Sequence, residues 1–443
     1  MRSCRVSLGI CLGALIALVG IAESRGQNAA LHLDAPFPVF RSGIFAPLVQ
    51  RVVFKDDVLA DNDDATMPNG ERTTHANDLY QQGLRQQKAG DLTSARESFA
   101  AALRDDPDST VIRASLGYAL STAGDLKGAR AVFEETVRRD PSATMLYDEL
   151  GYLNLRLGDE AAADRWFRKA IDTHRQEALT DPKEIAARDQ RVYRLRSEVE
   201  QIENGFEATL YSVFRRGSGN GAPNPTGRSL TQSQGGAEAA YRLPIPGLGH
   251  GRTVHVFGRV LWGYKPDSLR IRGNSYQGGI GVRAKPFASQ NLVLSFERLV
   301  SLGSAARDDW LARIGYSWSL GAGFDPFRTS WPYVTVYGDA ALAFPTGPDL
   351  FLTGEVRAGQ SWRIGERFSV TPHLVVVGSR QEDGPVTTRL IEAGPGIALK
   401  YYFDDNAYRA FGANAEVLVQ YRAKLGGNST GTSGAAATVV VSF

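Results

Sequence analysis

The sequence of 443 residues predicts an α+β multidomain protein, in which an α-helical repeat solenoid precedes a C-terminal antiparallel transmembrane β-barrel of about 12 strands. Residue types recur every 34 positions in the first half, and apolar and polar residues alternate with a period of two in the second half. A mean hydropathy of -0.23 excludes a polytopic helical membrane protein, which needs several runs of about 20 apolar residues. It does not exclude a barrel, because barrel strands alternate.

The N-terminus resembles a cleavable signal peptide over residues 1–24. Arg2 and Arg5 precede an apolar stretch of about 15 residues, which is shorter than a membrane-spanning helix needs. An uncleaved amphiphilic anchor is the alternative. Cys4 and Cys11, the two cysteines of the sequence, both lie in this segment, so disulfides, zinc thiolates and cysteine nucleophiles are excluded from the mature chain. Residues 25–74 carry prolines and acidic residues without helical period, which predicts a flexible lead segment.

Residues 75–204 are predicted to form three repeats and a capping helix. The positions expected to pack the helices together are Gly83, Ala95, Phe99, Gly117, Ala129, Phe133, Gly151, Ala163 and Phe167. A 34-residue period with small residues at these places resembles the tetratricopeptide repeat, a helix–turn–helix unit. Such superhelices usually present a groove to a protein partner, so we expect a docking role; a rigid spacer is the alternative.

Residues 205–443 are predicted to form the barrel. Trp310, Ala312 and Ile314 alternate with Leu311 and Arg313, and comparable segments run for about 10 to 14 residues, as tilted membrane strands do. A soluble β-sandwich also alternates, but its strands are shorter. The aromatic residues expected in the two interfacial girdles are Trp262, Tyr316, Trp318, Trp331, Trp362, Tyr401 and Tyr421.

The polar face of these strands would line the lumen. The candidate lumen residues are Arg259, Arg283, Glu297, Arg313, Glu355, Arg357, His373, Glu392, Lys400, Glu416 and Arg422. Their signs are mixed, which disfavours a strongly anion-selective channel. The charges either cross-link neighbouring strands or contact a solute. On this basis Ile314→Arg is expected to disturb the lipid face, whereas Arg313→Ala is expected to assemble nearly normally.

An enzymatic role is not expected. Lys and Arg (50) nearly balance Asp and Glu (48), which argues against a nucleic-acid partner bound through charge, so we predict no nucleic-acid partner. The sequence contains no Ser-His-Asp pattern, metal-ligand spacing or phosphate-binding loop, so we predict no catalytic, metal or cofactor residues and no cofactor. An outer-membrane hydrolase is the minor alternative, and it would require a spatial cluster of Ser or Asp with His373.

The last strand ends in Val441, Ser442 and Phe443. It resembles the C-terminal strand of bacterial outer-membrane barrels, whose final aromatic residue is read by the barrel-assembly machinery. Phe443 is therefore the predicted assembly signal. Together with the signal peptide, it predicts a barrel among the lipids of a Gram-negative outer membrane, with the repeat domain in the periplasm.

Several runs of residues carry a wider resemblance, from about residue 235 to the end. They are 256–262 (VFGRVLW), 289–298 (SQNLVLSFER), 303–310 (GSAARDDW), 330–333 (SWPY), 371–374 (TPHL) and 420–422 (QYR). This stretch is similar to the C-terminal domain of the NfrA-type phage-adsorption protein. The resemblance implies an outer-membrane barrel with periplasmic tetratricopeptide repeats, which serves as a phage receptor and takes part in exporting a polysaccharide made by an inner-membrane glycosyltransferase.

We therefore expect a subunit of an exopolysaccharide export system that phage can use for adsorption. Its partners would be a periplasmic or inner-membrane glycosyltransferase, the polysaccharide and phage. Three repeats are fewer than the arrays of comparable exporters, which argues against a full polymer guide. The alternative is a plugged barrel that anchors the repeats so that they recruit periplasmic partners.

Overall fold

The computed structural model describes residues 71–216, 233–245, 248, 251–265, 268–345, 349–383 and 386–443. The described helices are α1 (Glu71–Lys88), α2 (Leu92–Asp105), α3 (Thr110–Thr122), α4 (Leu126–Arg139), α5 (Leu146–Leu157), α6 (Glu160–Gln176) and α7 (Pro182–Glu203). Helix α1 begins at Glu71, within the predicted lead segment, whose remainder lies outside the described residues together with the predicted signal peptide. None of the helices described is long and apolar enough to cross a membrane.

The three helix pairs α1/α2, α3/α4 and α5/α6 repeat one local design. Each pair turns at a glycine with a left-handed backbone, with φ values of +83°, +88° and +80° at Gly90, Gly124 and Gly158. The aspartate that follows caps the second helix, as Asp125 does by accepting a hydrogen bond of 2.9 Å from the backbone N–H of Gly128. The turn chemistry thus sets the helix–turn–helix unit.

The core of the repeat domain forms where a phenylalanine of each second helix meets a glycine of the first. A Cβ built on Gly117 would lie 2.3 Å from Cε1 of Phe133, so no larger residue fits there without displacement. The equivalent pairs are Gly83 with Phe99 and Gly151 with Phe167. The three phenylalanines, and the alanines Ala95, Ala129 and Ala163, are at most 1% exposed. All nine predicted packing positions therefore lie at these helix contacts.

Twelve antiparallel strands follow and close into a barrel in which β1 pairs with β12. The strands are β1 (Phe206–Arg215), β2 (Gln234–Arg242), β3 (Thr253–Gly263), β4 (Gln277–Lys285), β5 (Leu292–Ser301), β6 (Asp309–Leu320), β7 (Ser330–Phe344), β8 (Asp349–Ile364), β9 (Phe368–Asp383), β10 (Val386–Phe403), β11 (Ala413–Gly426) and β12 (Gly434–Ser442). The predicted fold class, a helical repeat domain before a closed antiparallel barrel, is confirmed. Closure leaves no unpaired sheet edge.

The two ends of the barrel differ. We call the end where β1 begins and β12 finishes the repeat-side end, because α7 leads into β1 there, and the opposite end the far end. Phe443 lies at the repeat-side end, where its backbone N–H donates a hydrogen bond of 2.9 Å to the carbonyl oxygen of Ala208. Its ring is 43% exposed and contacts Phe403, on the outer face, at 5.7 Å between centroids.

The outer face is apolar along most strands. Large side chains that are more than a third exposed include Ile280, Leu294, Ile314, Val356, Leu374, Ile397 and Val417. Aromatic residues occur on this face near both ends, with Phe368 and Tyr401 at the repeat-side end and Trp310 at the far end. One girdle prediction is wrong: Trp331 is 4% exposed and points into the lumen, because odd-numbered residues of β7 face inward.

Candidate functional site

The candidate site is the barrel lumen and its repeat-side mouth. The structure places all eleven candidate lumen residues on the inner face, since the register pairs inner residues with inner residues from strand to strand. Glu392 is 1% exposed and Arg283 is 2% exposed, although neither lies in an apolar core. The barrel interior is therefore packed with charged side chains that neutralise one another.

The first half of the barrel holds three sets of ion pairs. Arg313 of β6 donates to Asp339 of β7, with 2.8 Å between Nε and Oδ2. Arg259 of β3 contacts Glu297 of β5, reaching over β4. The first contact links two paired neighbouring strands, and the second links two strands that are separated by one strand of the sheet.

Arg283 is the centre of the third set. This β4 residue contacts Glu238 of β2 and lies 2.5 Å, between NH2 and Oε2, from Glu207 of β1. His255 of β3 lies 3.6 Å from the same glutamate, between Nε2 and Oε1. One arginine thus pairs with two carboxylates near the repeat-side end.

A second network fills the other half of the lumen. Arg357 lies 2.6 Å from Glu355, between Nε and Oε1, and Lys400 lies 3.0 Å from Glu416, between Nζ and Oε2. Arg422 reaches Glu355 at 3.2 Å between NH2 and Oε2. The network joins β8, β10 and β11, and charge-assisted hydrogen bonds of this kind hold side chains in fixed positions.

His373 makes two hydrogen bonds inside the lumen. Its Nδ1 lies 2.9 Å from the carbonyl oxygen of Thr371, and its Nε2 lies 2.9 Å from Nε2 of Gln420. Both ring nitrogens therefore have a hydrogen-bond partner, one on the same strand, β9, and one on β11. The hydroxyl groups of Ser361 and Thr371 hydrogen-bond to each other at 2.8 Å.

The far end of the lumen is filled by apolar side chains. Tyr211, Leu261, Leu299, Leu311 and Phe351 form a buried cluster there, with Ala341 and Ala343 beside it. Beyond them, Arg215 of β1 makes a two-pronged contact with Glu392 of β10, and both residues are buried. This pairing ties the closing strand β1 to β10, with β12 and β11 between them in the barrel.

The repeat-side mouth is closed by an aromatic plug that consists of Phe324, Trp331, Tyr402 and Phe411. Phe324 comes from the loop between β6 and β7, and its ring lies 4.9 Å from that of Tyr402, between centroids. The indole N–H of Trp331 donates a hydrogen bond of 2.9 Å to the carbonyl oxygen of Gly321 in the same loop. The loop is thereby folded back into the lumen.

Helix α7 is docked against this mouth. The guanidinium group of Arg196 donates to the carbonyl oxygens of Asn406 and Arg409, at 2.6 and 2.7 Å, in the loop between β10 and β11. The hydroxyl group of Tyr408 in this loop donates to Asp172 of α6 at 2.9 Å. The ring of Tyr193 contacts Phe327 of the plug loop at 5.7 Å between centroids. Two barrel loops therefore hold the repeat domain in place.

Aromatic and acidic side chains of the repeat domain lie on the first helix of two helix pairs, α3 and α5, and on α7. Tyr118 and Tyr152 occupy equivalent positions, one residue after the glycines of the helix contacts, and each packs against a core phenylalanine. Burial raises the pKa of Glu149 to about 6 and that of Glu198 to about 7. These carboxyl groups are near Tyr152, whose pKa is raised by burial and then by Glu198. The surface thus places partly exposed tyrosine rings beside carboxyl groups whose pKa values are raised by burial.

Comparisons with known families agree with this two-part construction. Residues 269–437 match a family model described as bacteriophage N adsorption protein A, C-terminal part. Residues 269–437, which lie within the barrel, are similar to the NfrA-type C-terminal domain. Residues 80–144 and 114–178 match a tetratricopeptide repeat model. The resemblance predicted from the sequence is therefore confirmed for both parts. No curated protein matches the chain.

Solved structures resemble the repeat domain. The type III secretion translocator chaperone SycD of Yersinia enterocolitica is 18% identical, with 29% of this chain and 92% of that chain covered and a TM-score of 0.26. PcrH of Pseudomonas aeruginosa is 20% identical, with 31% and 98% covered and a TM-score of 0.26. The N-terminal domain of STI-1 from C. elegans is 14% identical, with 28% and 98% covered and a TM-score of 0.24.

The sequence identified which residues face inward but missed three features of the site. The aromatic plug, the partner of each charge and the docking of α7 were not predicted. The plug had one signal in the sequence: Phe324 and Phe327 stand in a loop, where apolar aromatic residues are unusual unless they are buried. The expectation for Arg313→Ala also changes, because that substitution would leave Asp339, a nearly buried carboxylate, without its arginine.

Proposed function

We propose that this protein is an outer-membrane anchor, in which a sealed NfrA-type barrel fixes a tetratricopeptide repeat domain on the periplasmic side so that the repeats recruit a partner. The observation that carries the proposal is the filled lumen with the docked repeat domain at its mouth. Support for a membrane location comes from the apolar outer face and the aromatic residues near both of its ends. The far end would then face the cell exterior.

The filled lumen favours the anchor over the export conduit. A polymer that passed through the barrel would have to displace the aromatic plug, separate the ion pairs and move the apolar cluster at the far end. Separating buried ion pairs costs several kcal/mol each when one partner is left unpaired. A role in exopolysaccharide export is then one in which the repeats hold a glycosyltransferase or another export component, and the polymer passes elsewhere.

Phage adsorption is the second proposed role, and the family match supports it. The loops at the far end, including residues 302–308 between β5 and β6, would be the surface that phage contacts. A test is phage binding to cells that carry the full protein or a variant with this loop shortened. Equal adsorption in both would argue against this loop.

Conductance tests the anchor directly. The full-length protein, refolded and checked by heat-modifiable gel migration, is expected to give no steady current in a planar bilayer. The double variant Phe324→Ala with Trp331→Ala removes the aromatic plug from the repeat-side mouth but leaves the ion pairs and the far-end apolar cluster in place, so it is also expected to give no steady current. A steady open pore in the unmodified protein would reject the anchor and support a conduit.

Site-specific photo-crosslinking in cells tests recruitment. A photoreactive residue replaces Tyr152, on the exposed side of the first helices, or, as the control, Glu134, an exposed residue of the second helix α4. We expect a defined cross-linked partner at position 152 and none at 134. The absence of any cross-link at position 152 in a correctly assembled protein would favour the spacer role.

A further inference from the structure

The outer face of the barrel carries an apolar groove of about 590 Å³ across strands β3 to β8. Ala284, Ala312 and Ala340 form its floor, because their side chains end at Cβ whereas their neighbours project further. Phe296 and Leu342 stand among its walls and are 43% and 41% exposed. The groove is lined by apolar surface, which suits a hydrocarbon chain.

A cation lies beside this groove toward the far end. Phe296 stacks on Trp310 with 5.0 Å between ring centroids and 12° between ring planes. The guanidinium carbon of Arg298 lies 5.4 Å from the centre of the Trp310 ring. Arg298 is two residues beyond Phe296 on β5, which places it roughly 7 Å further along the strand. Groove, ring pair and cation thus form one continuous surface.

The position of Arg298 on the outer face favours an anionic ligand. Even-numbered residues of β5 face outward, so Arg298 shares the outer face with Leu294 and Phe296 rather than the charged lumen. Within the described ranges, no ion pair joins it to a carboxylate, and its contact with the indole ring leaves its N–H groups free to donate elsewhere. An arginine donates two parallel hydrogen bonds to a phosphate.

We propose that this surface binds one phosphorylated glycolipid of the outer leaflet, the class to which lipopolysaccharide belongs, with an acyl chain in the groove and a phosphate on Arg298. The proposal rests on the proposed membrane location, because that location puts the far end in the outer leaflet. The groove supplies shape and Arg298 supplies charge. A phospholipid such as phosphatidylglycerol also carries an acyl chain and a phosphate, so it is the competitor from which the glycolipid has to be distinguished.

The test measures lipid binding by the refolded full-length protein in detergent, with purified lipid A and with phosphatidylglycerol as separate probes, by native mass spectrometry. Two variants remove one part each: Arg298→Gln removes the charge, and Ala340→Leu fills the groove. Their matched controls are Arg389→Gln, an exposed outward-facing arginine of β10, and Ala358→Leu, an exposed outward-facing alanine of β8 outside the groove. Ala312→Val is a milder second groove variant.

We expect one tightly held lipid A on the unmodified protein, about tenfold weaker binding in Arg298→Gln and in Ala340→Leu, and unchanged binding in both controls. Equal binding by all variants would overturn the proposal, as would phosphatidylglycerol bound as tightly as lipid A. Vesicle insertion and heat-modifiable migration are measured on the same samples. A protein that inserts but holds no lipid A overturns this proposal alone, and a protein that does not insert overturns the membrane anchor as well.

Discussion

The repeat domain and the barrel are built in opposite senses. In the repeat domain the aromatic and aliphatic side chains lie inside and the charges outside, so that Phe133 is 1% exposed. In the barrel the ion pairs lie inside and the apolar side chains outside, so that Phe296 is 43% exposed and Arg313 is 6% exposed. The difference shows that one chain can bury either kind of residue, because the surroundings of each domain decide which face is hidden.

The largest difference in stability is expected when a phenylalanine is truncated to alanine in the repeat domain and, separately, in the barrel. Phe133→Ala should cost roughly 4 kcal/mol of the repeat domain's unfolding free energy, because it empties the space against Gly117. Phe296→Ala removes a side chain from the outer face and should cost much less. Urea unfolding followed by circular dichroism of the helices and by tryptophan fluorescence of the barrel measures both. Equal losses would mean that the outer face of the barrel is packed against something.

Next in size is the loss of a lumen charge. Glu392→Ala should cost the barrel about 3 kcal/mol, because Arg215 keeps its charge in a buried position without its carboxylate. The double variant Arg215→Met with Glu392→Leu should recover most of this loss, since no charge then remains unpaired. Unfolding in phospholipid vesicles compares the three proteins. A double variant as unstable as the single one would show that the pair itself holds β1 to β10.

A smaller effect on stability is expected to distinguish the outer face of the barrel from the exposed surface of the repeat domain. Ile314 of the barrel and Val111 of α3 are 46% and 40% exposed, so accessibility alone does not distinguish them. Ile314→Arg should cost about 2 kcal/mol in a bilayer, because its neighbour there is lipid. Val111→Arg should be nearly neutral, because its neighbour is water. The vesicle measurement used for Glu392 serves for both, and a neutral Ile314→Arg would reject the lipid-facing assignment.

The smallest effect concerns pH. Burial alone would lower the pKa of His174, but hydrogen bonds to Asp148 and Glu177, at 2.8 and 2.6 Å, outweigh it and the pKa is raised above 6.5. A raised folded-state pKa stabilises the fold fully below the unfolded value and loses that contribution as the pH rises through the folded value.

The advantage of the unmodified protein over His174→Gln should therefore be greatest below pH 6.5 and should shrink as the pH rises above that value. Thermal unfolding of the helices at a series of pH values checks this. His75→Gln, at an exposed histidine paired with Asp105, is the control. A difference for His174→Gln that grows with pH would contradict the sign.

The sequence predicted the structure correctly where a repeating pattern of residues determines which side chains are buried. The 34-residue spacing located the glycine and phenylalanine contacts, and the period of two assigned Arg313 and Glu392 to the inner face. The same rule applied strand by strand would have placed Trp331 inside, since Tyr333 shares its parity. Trp331 was assigned to an interfacial girdle because it is an aromatic residue near a strand end. That criterion does not tell whether a side chain faces lipid or the lumen.

The partners of the lumen charges and the position of the aromatic plug depend on the three-dimensional shape of the barrel and its loops. Arg259 contacts Glu297 across an intervening strand, and Arg215 meets Glu392 although 177 positions separate them. Alternation specifies a face but not a partner, because the partner depends on strand tilt and on the circumference of the closed barrel. The position of Phe324 depends on how its loop folds, and no periodic pattern encodes that.

The short link between the two domains has a mechanical consequence. Helix α7 ends at Glu203 and β1 begins at Phe206, so a pull on the repeats is delivered almost directly to β1, which closes the barrel against β12. The contacts of Arg196 and Tyr408 with the β10–β11 loop form a parallel connection on the other side of that seam. A load from a bound partner is thus shared between β1 and the β10–β11 loop, which protects the closing strand pair from being peeled apart.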